Sequence, residues 1–271
     1  MTLTLADLAL RVANEITDVI RGTASAGSAT SLTDTTTLKY SDGYFTGGTI
    51  FFLSGTHAGK YAVVTNFTQG IVTFATMGTS VGTARYAIID RTFPINDILK
   101  SINAALQDDA AKVTGTDETL TGDGSTVEFT LPTGISDVKE VEFVNTSANP
   151  DYVTKNFHWN ERNGKLIFDP NPGLISTTGS YLSAYAPPNG DTIRIIYRKP
   201  HDEVTTYSDV IDTELNETWL KLRAAEEALK WVIRTRGENP TQRYAEFLQD
   251  VRNSLQKTRA MRKIDVVVKV A

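Results

Sequence analysis

Apolar residues recur at three- and four-residue spacing over residues 4–21, at Leu5, Leu8, Ala9, Val12, Ile16, Val19 and Ile20. That period predicts an amphipathic helix, opened by a capping box of Thr4 and Asp7 and ended by Gly22. The spacing returns over residues 94–113, with Pro94 in the first turn and Ile95, Ile98, Leu99, Ile102, Ala105 and Leu106 behind it. From Asp212 a third run carries Leu215, Trp219, Leu222, Ala225, Ala228, Leu229, Val232 and Ile233 as far as Gly237. Asn239-Pro240 then opens a fourth, with Tyr244, Phe247, Leu248, Val251 and Leu255 on one face. The last two read as an αα-hairpin.

Between the first two helical runs the period changes to two. Glycines at Gly43, Gly47-Gly48, Gly55, Gly59, Gly70, Gly78 and Gly82 punctuate β-branched and aromatic runs such as Ile50-Phe51-Phe52-Leu53 and Tyr61-Ala62-Val63-Val64. This predicts a compact antiparallel barrel or meander. A second β region follows, with strands in TLTGDGSTVEFTLP, VKEVEFVN, KLIFDPN and DTIRIIYRK and turns at Asn163-Gly164 and Asn189-Gly190-Asp191. The closing stretch KIDVVVKVA alternates Ile264, Val266, Val268 and Val270 with Asp265, Val267 and Lys269. That is the pattern of a strand half-buried on a sheet, with no neighbour in sequence to pair with.

The expected fold class is therefore α+β: a helical bundle core of about four helices with two inserted antiparallel β modules and an extended C-terminal tail. The bundle would draw on residues 1–22, 91–116 and 211–263. The insertions would be a small β-barrel or meander over 23–90 and a second β module over 117–210. Residues 264–271 would be an extended tail docked on another chain through Ile264, Val266, Val268 and Val270.

With 271 residues, 40% of them hydrophobic and 22% charged, the chain can bury a sizeable core. The absence of cysteine excludes disulfides, thiolate zinc sites and a cysteine nucleophile. The opening residues carry no basic segment before an apolar one and read as a helix, not a signal peptide, and no run reaches the length of a membrane span.

The net charge of −5 hides an asymmetry. Residues 221–263 hold eleven Lys/Arg against five acids, a balance of +6, while residues 1–220 carry −11. Such a basic end on an acidic body suits head-to-tail contact between subunits or an approach to nucleic acid; a solvated helical face is the plainer alternative. Arg252, Arg259 and Arg262 are the basic residues expected to face a channel or a neighbouring subunit. Phe157 and Trp159, in an aromatic loop, are expected to touch a partner or to fill their own module.

Candidate chemistry is sparse. His57, His158 and His201 are too far apart for local metal-ligand spacing and read as solvent-facing loop residues. SGTHAGK resembles a phosphate-binding loop in composition, but Gly55-x-x-x-Gly59-Lys60 runs into Tyr61 and a strand, which is turn chemistry. Asp108-Asp109, Asp117-Glu118 and Gly122-Asp123-Gly124 likewise read as helix ends and turns. No catalytic residue, metal ligand or cofactor is expected.

Taken together, the order of parts resembles the head-to-tail connector, or adaptor, proteins of tailed bacteriophages. The likeness is carried by LADLALRVANEITDVI, DGYFTGGTIFFLSGTHAGKYAVVTNF, FPINDILKSINAAL, DTIRIIYRKPH, the helix ending LRAAEEALKW and the C-terminal tail. The resemblance implies a structural virion protein of the neck, made in the host cytoplasm. It implies a homo-oligomer, a dodecameric ring below the portal protein that surrounds the DNA exit channel and gives the tail or other neck proteins a platform. Contact with genomic DNA would be transient and non-specific, and no membrane is involved. A tail, baseplate or fibre-attachment structural protein is the alternative.

Overall fold

The structure, a computed structural model, describes residues 3–145, 152–154, 159–168, 186–236 and 241–268. The chain divides into two compact units, residues 1–111 with 201–271 and residues 112–200. The first unit contains α1 (Leu5–Ile16), β1 (Ile20–Thr23), β2 (Ala26–Gly27), β3 (Ser31–Thr33), β4 (Thr49–Phe52), β5 (Lys60–Thr68), β6 (Ile71–Phe74), β7 (Arg85–Ile89) and α2 (Ile95–Leu106). The second contains β8 (Val113–Thr121), β9 (Glu128–Thr130), β10 (Val138–Asn145), β11 (Tyr152–Thr154), β12 (Trp159–Arg162), β13 (Lys165–Phe168) and β14 (Thr192–Lys199). The chain then re-enters the first unit with α3 (Glu217–Arg236) and α4 (Thr241–Val268).

In the first unit seven antiparallel strands lie in the order β1-β7-β4-β5-β6-β3-β2. Its two edge strands are separated in sequence only by Ala24 and Ser25, which donate to Ala84 O at 3.0 Å and to Thr33 O at 2.8 Å. Because one short segment must serve both edges, the sheet curls into a half-barrel. Leu32, Phe45, Ile50, Phe52, Phe67, Val72 and Phe74 fill its interior.

A buried clasp holds the curl. Tyr86 on β7 donates its hydroxyl proton to Asp34 Oδ2 at 2.8 Å, and Asp34 Oδ1 accepts from the backbone N–H groups of Thr36 and Thr37. Burial works to raise the Asp34 pKa, but hydrogen bonds from Thr37, Tyr86 and Thr36 outweigh it and hold the carboxyl below its ordinary range. Burial, then Asp34 itself, pushes the Tyr86 phenol upward. Gly22 is required here: a Cβ would lie 2.4 Å from the Tyr86 hydroxyl and 2.6 Å from Asp34 Oδ2.

Alternation sends Phe51 and Ala87 to the opposite face of the sheet from Ile50, Phe52, Tyr86 and Ile88. There Phe51 and Leu53 share the wall of a small cavity with Ala6 and Leu10 of α1. Helix α3 packs against α1, α2 and α4 and buries Trp219, Leu220, Ala224, Ala225, Leu229 and Val232.

The segment between the second unit and α3, residues 201–212, stitches these helices together. Asn103 of α2 grips Val204 twice, donating from Nδ2 to Val204 O at 2.8 Å and accepting from Val204 N at 2.9 Å. Gln107 donates to His201 O at 3.0 Å. Leu5 N donates to Asp209 O and Ile211 N to Leu3 O, so the segment also runs antiparallel to the start of α1.

In the second unit a four-stranded sheet, β11-β10-β14-β8, and a three-stranded sheet, β12-β13-β9, share one core. Val141, Phe143, Ile193 and Ile195 come from the first; Leu166 and Phe168 come from the second. Arg194 on β14 pairs with Glu118 at 2.5 Å and with Glu142 at 3.1 Å.

This architecture corrects the expected fold class. The protein is mostly β, a seven-stranded antiparallel half-barrel with two smaller sheets and four helices, not a helical bundle core carrying inserted β modules. The reason is where apolar area is buried. Each β region closes over its own core and needs no helical framework to cover it.

The expected helices also shrink. The first stops at Ile16, and Ile20, expected on its apolar face, pairs with Ile88 as a strand residue. The β-branched Thr17, Val19 and Ile20 lose less χ1 freedom there. The second stops at Leu106, and a short 3₁₀ turn at Asp109–Ala111 leads into β8. The extended tail from residue 264 is likewise corrected: α4 continues to Val268, with Ile264, Val266 and Val268 on the helix and Val270 outside the described residues. No glycine or proline interrupts residues 241–268, and adding a residue to a formed helix costs far less than starting one.

The double grip of Asn103 makes it the test of this stitching. Asn103→Ala strands the Val204 N–H and C=O and is expected to cost about 2 kcal/mol in urea unfolding. An unchanged midpoint would show that the segment is held by something else.

Candidate assembly surface

Charge on the helices is organised before any of it is free to meet a partner. Glu226, on α3 and only 8% exposed, collects three cations. Arg223 binds it from the preceding turn, Lys230 Nζ from the following turn at 3.0 Å, and Arg252 Nε from α4 at 3.1 Å. Arg223 also reaches Asp108 at 3.0 Å, and Lys230 reaches Glu227 at 2.9 Å. Burial works to raise the Glu226 pKa; hydrogen bonds from Lys230, Arg223 and Arg252 overcome it and hold the carboxyl below its ordinary range. Two further pairs, Lys221 with Glu15 at 2.6 Å and Arg11 with Glu217, join α3 to α1. Lys221, Arg223, Lys230 and Arg252 are thus engaged inside the chain.

Between residues 244 and 258 only Val251 and Leu255 are buried, although the helix is 28 residues long, about 42 Å. Lys257 is exposed and has no ion-pair partner among the described residues. On α3, Trp231 is 41% exposed.

The stitching segment presents the opposite sign. Between residues 202 and 216 the sequence has five acids and no Lys or Arg. Asp202, Glu203, Val204, Asp209, Val210 and Asp212 line an open cleft of about 390 Å³. Asp209 accepts from the Thr205 and Thr206 N–H groups at 2.7 and 2.9 Å and from the Thr206 hydroxyl. Those bonds, the Thr206 hydroxyl first, hold its pKa down and keep it charged. Asp212 Oδ1 accepts from Glu214 N at 2.8 Å. These bonds orient the Asp209 and Asp212 carboxylates. Val210 is 52% exposed beside them, and Tyr207 stands edge-on to Tyr61 with Lys60 over its ring.

The sequence-predicted residues are not gathered in one place. Arg252 belongs to the Glu226 cluster, and Arg259 and Arg262 follow it on α4. Trp159 opens β12 and packs, partly buried, on the core of its own unit, while Phe157 and His158 lie outside the described residues. His57 and His201, expected in solvent, are both buried. His57 faces Phe52 and shares its Nε2 with the Thr79 carbonyl and hydroxyl at 3.1 and 3.0 Å. The His201 ring is held between Asp202 O, at 2.7 Å from Nδ1, and the Asp212 N–H, which donates to Nε2 at 3.1 Å. The SGTHAGK turn runs through Gly55 and Gly59 at φ of +81° and +78°. Among the described residues no group of three or more His, Asp or Glu stands where it could hold a metal ion, and no helix is long and apolar enough to cross a membrane.

The acidic run at 202–216 was not among the residues singled out from sequence, although its one-sided charge is visible there. No model of a protein family matches the chain, and a search of curated proteins finds no match either.

Glu226→Gln should test the charge cluster. The native carboxylate titrates below its unfolded value, so its contribution is present above the ordinary Glu range near about pH 4.3 and is lost as pH falls through the folded value. The variant is expected to be about 2 kcal/mol less stable at pH 7, with the gap to wild type narrowing below about pH 4 in urea titrations. A gap independent of pH would assign the loss to packing instead.

Proposed function

We propose that the chain is a structural head-to-tail adaptor of a tailed bacteriophage, assembled as a ring of twelve copies below the portal protein. The ring surrounds the DNA exit channel and serves as the platform for the tail. In this reading the chain carries no catalytic step. The observation that carries it is the middle of α4, where only Val251 and Leu255 are buried between residues 244 and 258, on a helix whose sequence is net basic. A stretch of helix so sparsely covered by its own chain leaves surface for other copies and for the portal. The acidic body and basic C-terminal region support the same reading, since opposite fields on one subunit favour a repeated head-to-tail contact. The resemblance of the sequence's order of parts to the adaptor proteins, its C-terminal tail apart, supports it too.

Genomic DNA passing through such a ring meets basic residues at its wall, and tight binding there would oppose sliding, because each phosphate neutralised adds salt-dependent affinity. Contact with DNA is therefore transient and not sequence-specific.

Imaging of purified particles decides the matter. Twelvefold density of this chain between portal and tail is expected. Threefold or sixfold copies at the tail tip would make it a baseplate or fibre-attachment protein, and a chain that is monomeric within the particle would end the ring reading.

A further inference from the structure

A backbone nitrogen that follows Asn or Asp is a latent nucleophile toward the side-chain carbonyl, and a glycine at that place leaves the approach open because it has no Cβ. The chain has four such steps, Asp42-Gly43, Asp123-Gly124, Asn163-Gly164 and Asn189-Gly190. In three of them the nitrogen is engaged: Gly43 N donates to Phe67 O at 2.8 Å, Gly124 N to Pro187 O at 3.0 Å and Gly190 N to Gly122 O at 3.0 Å. The Gly164 N–H has no acceptor among the described residues, and Asn163 and Gly164 are both exposed. We propose that Asn163 is a site of spontaneous covalent modification, where the Gly164 nitrogen displaces the side-chain amide and water opens the ring that forms.

The step balances with water as the sole co-reactant. Gly164 N gives its proton to solvent and bonds to Asn163 Cγ, the Cγ–Nδ2 bond breaks, and Nδ2 leaves as ammonia after taking a proton back. Water then adds to one of the two ring carbonyls. Breaking the new N–Cγ bond gives aspartate; breaking the bond from Gly164 N to the main-chain carbonyl carbon leaves the chain running through Cγ as isoaspartate.

The hairpin's construction favours the reaction here. Asn163 and Gly164 are the whole of a two-residue turn between β12 and β13, with φ of +53° and +70°. Ring closure requires Asn163 to leave that conformation, and the ribbon can open from the turn. Strand β12 is a sheet edge that pairs with β13, and Asn160, Glu161 and Arg162 are exposed. Trp159, which packs on the core, lies at its far end. The turns that carry the Asp123 and Asn189 steps instead hold each other, since Gly122 N also donates to Asp191 O at 2.8 Å.

The two products have different consequences. Aspartate suits the first position of such a turn and keeps the backbone unchanged. Isoaspartate adds a methylene to the main chain, which displaces the Gly164 carbonyl from Leu131 N, its donor at 2.9 Å, and disturbs the pairing of Lys165 with Thr130. Leu131 belongs to the core of the second unit, so the lesion reaches the core from an exposed turn.

The full-length chain, aged in mildly alkaline buffer both folded and in urea, is digested and mapped by mass spectrometry at successive times. Conversion adds about 1 Da at the asparagine, and electron-transfer fragmentation separates isoaspartate from aspartate. In urea Asn163 and Asn189 are expected to convert at similar rates. In the folded chain Asn163 is expected to convert about fivefold faster, the factor that corresponds to the one hydrogen bond that must break at Gly190. A folded-state ratio no higher than the ratio in urea would overturn the proposal. A second arm compares Asn163→Asp, expected to unfold at the wild-type urea midpoint, with the isolated isoaspartate form, expected to unfold at a lower one. Coincident midpoints for the two would overturn the claim that the lesion reaches the core.

Discussion

The first unit is built from two stretches of chain separated by the whole of residues 112–200, and backbone hydrogen bonds along residues 201–211 hold the two together. Asn103 on Val204, Gln107 on His201 and the antiparallel pairing of residues 3–5 with 209–211 tie the segment leading into α3 to α1 and α2, on which α3 also packs directly. The insertion is tolerable because loop closure grows only slowly with length once the ends are pinned. The second unit pins them from its own side: β8 and β14, its first and last strands, pair directly, with Val113 opposite Lys199.

That stitching also explains why the acidic surface is presentable. A segment whose backbone is committed to α1 and α2 can leave side chains exposed, as at Asp202 and Glu203, while the half-buried Asp209 carboxylate accepts from Thr205 and Thr206. The basic helices follow the reverse logic. Lys221, Arg223 and Lys230 of α3 and Arg252 of α4 are drawn to Glu226, Glu227, Glu15 and Asp108.

Period and turn chemistry made much of this legible in sequence. The Thr4–Asp7 capping box, the stripe of α1, the β-branched runs between turn glycines and the αα-hairpin follow from local preferences that hold wherever the segment ends up. The turn at SGTHAGK was legible because its glycines need positive φ. The burial of His57 was not, since it depends on Thr79, far away along the chain.

By itself, then, the sequence determined the type of most elements, the charge asymmetry and the absence of cysteine chemistry. Only tertiary structure decided which elements own the core. Ile20 could extend a helix or pair with Ile88, and the partner strand settled it. The segment from Ile264 could be a strand or a helix, and an unbroken helix before it settled that. Whether helices or sheets form the framework depends on which apolar faces meet, and pairings such as β1 with β7, or Asp34 with Tyr86, join residues more than fifty positions apart. Periodicity reports a residue's neighbours within a few positions, so it carries no information about those contacts.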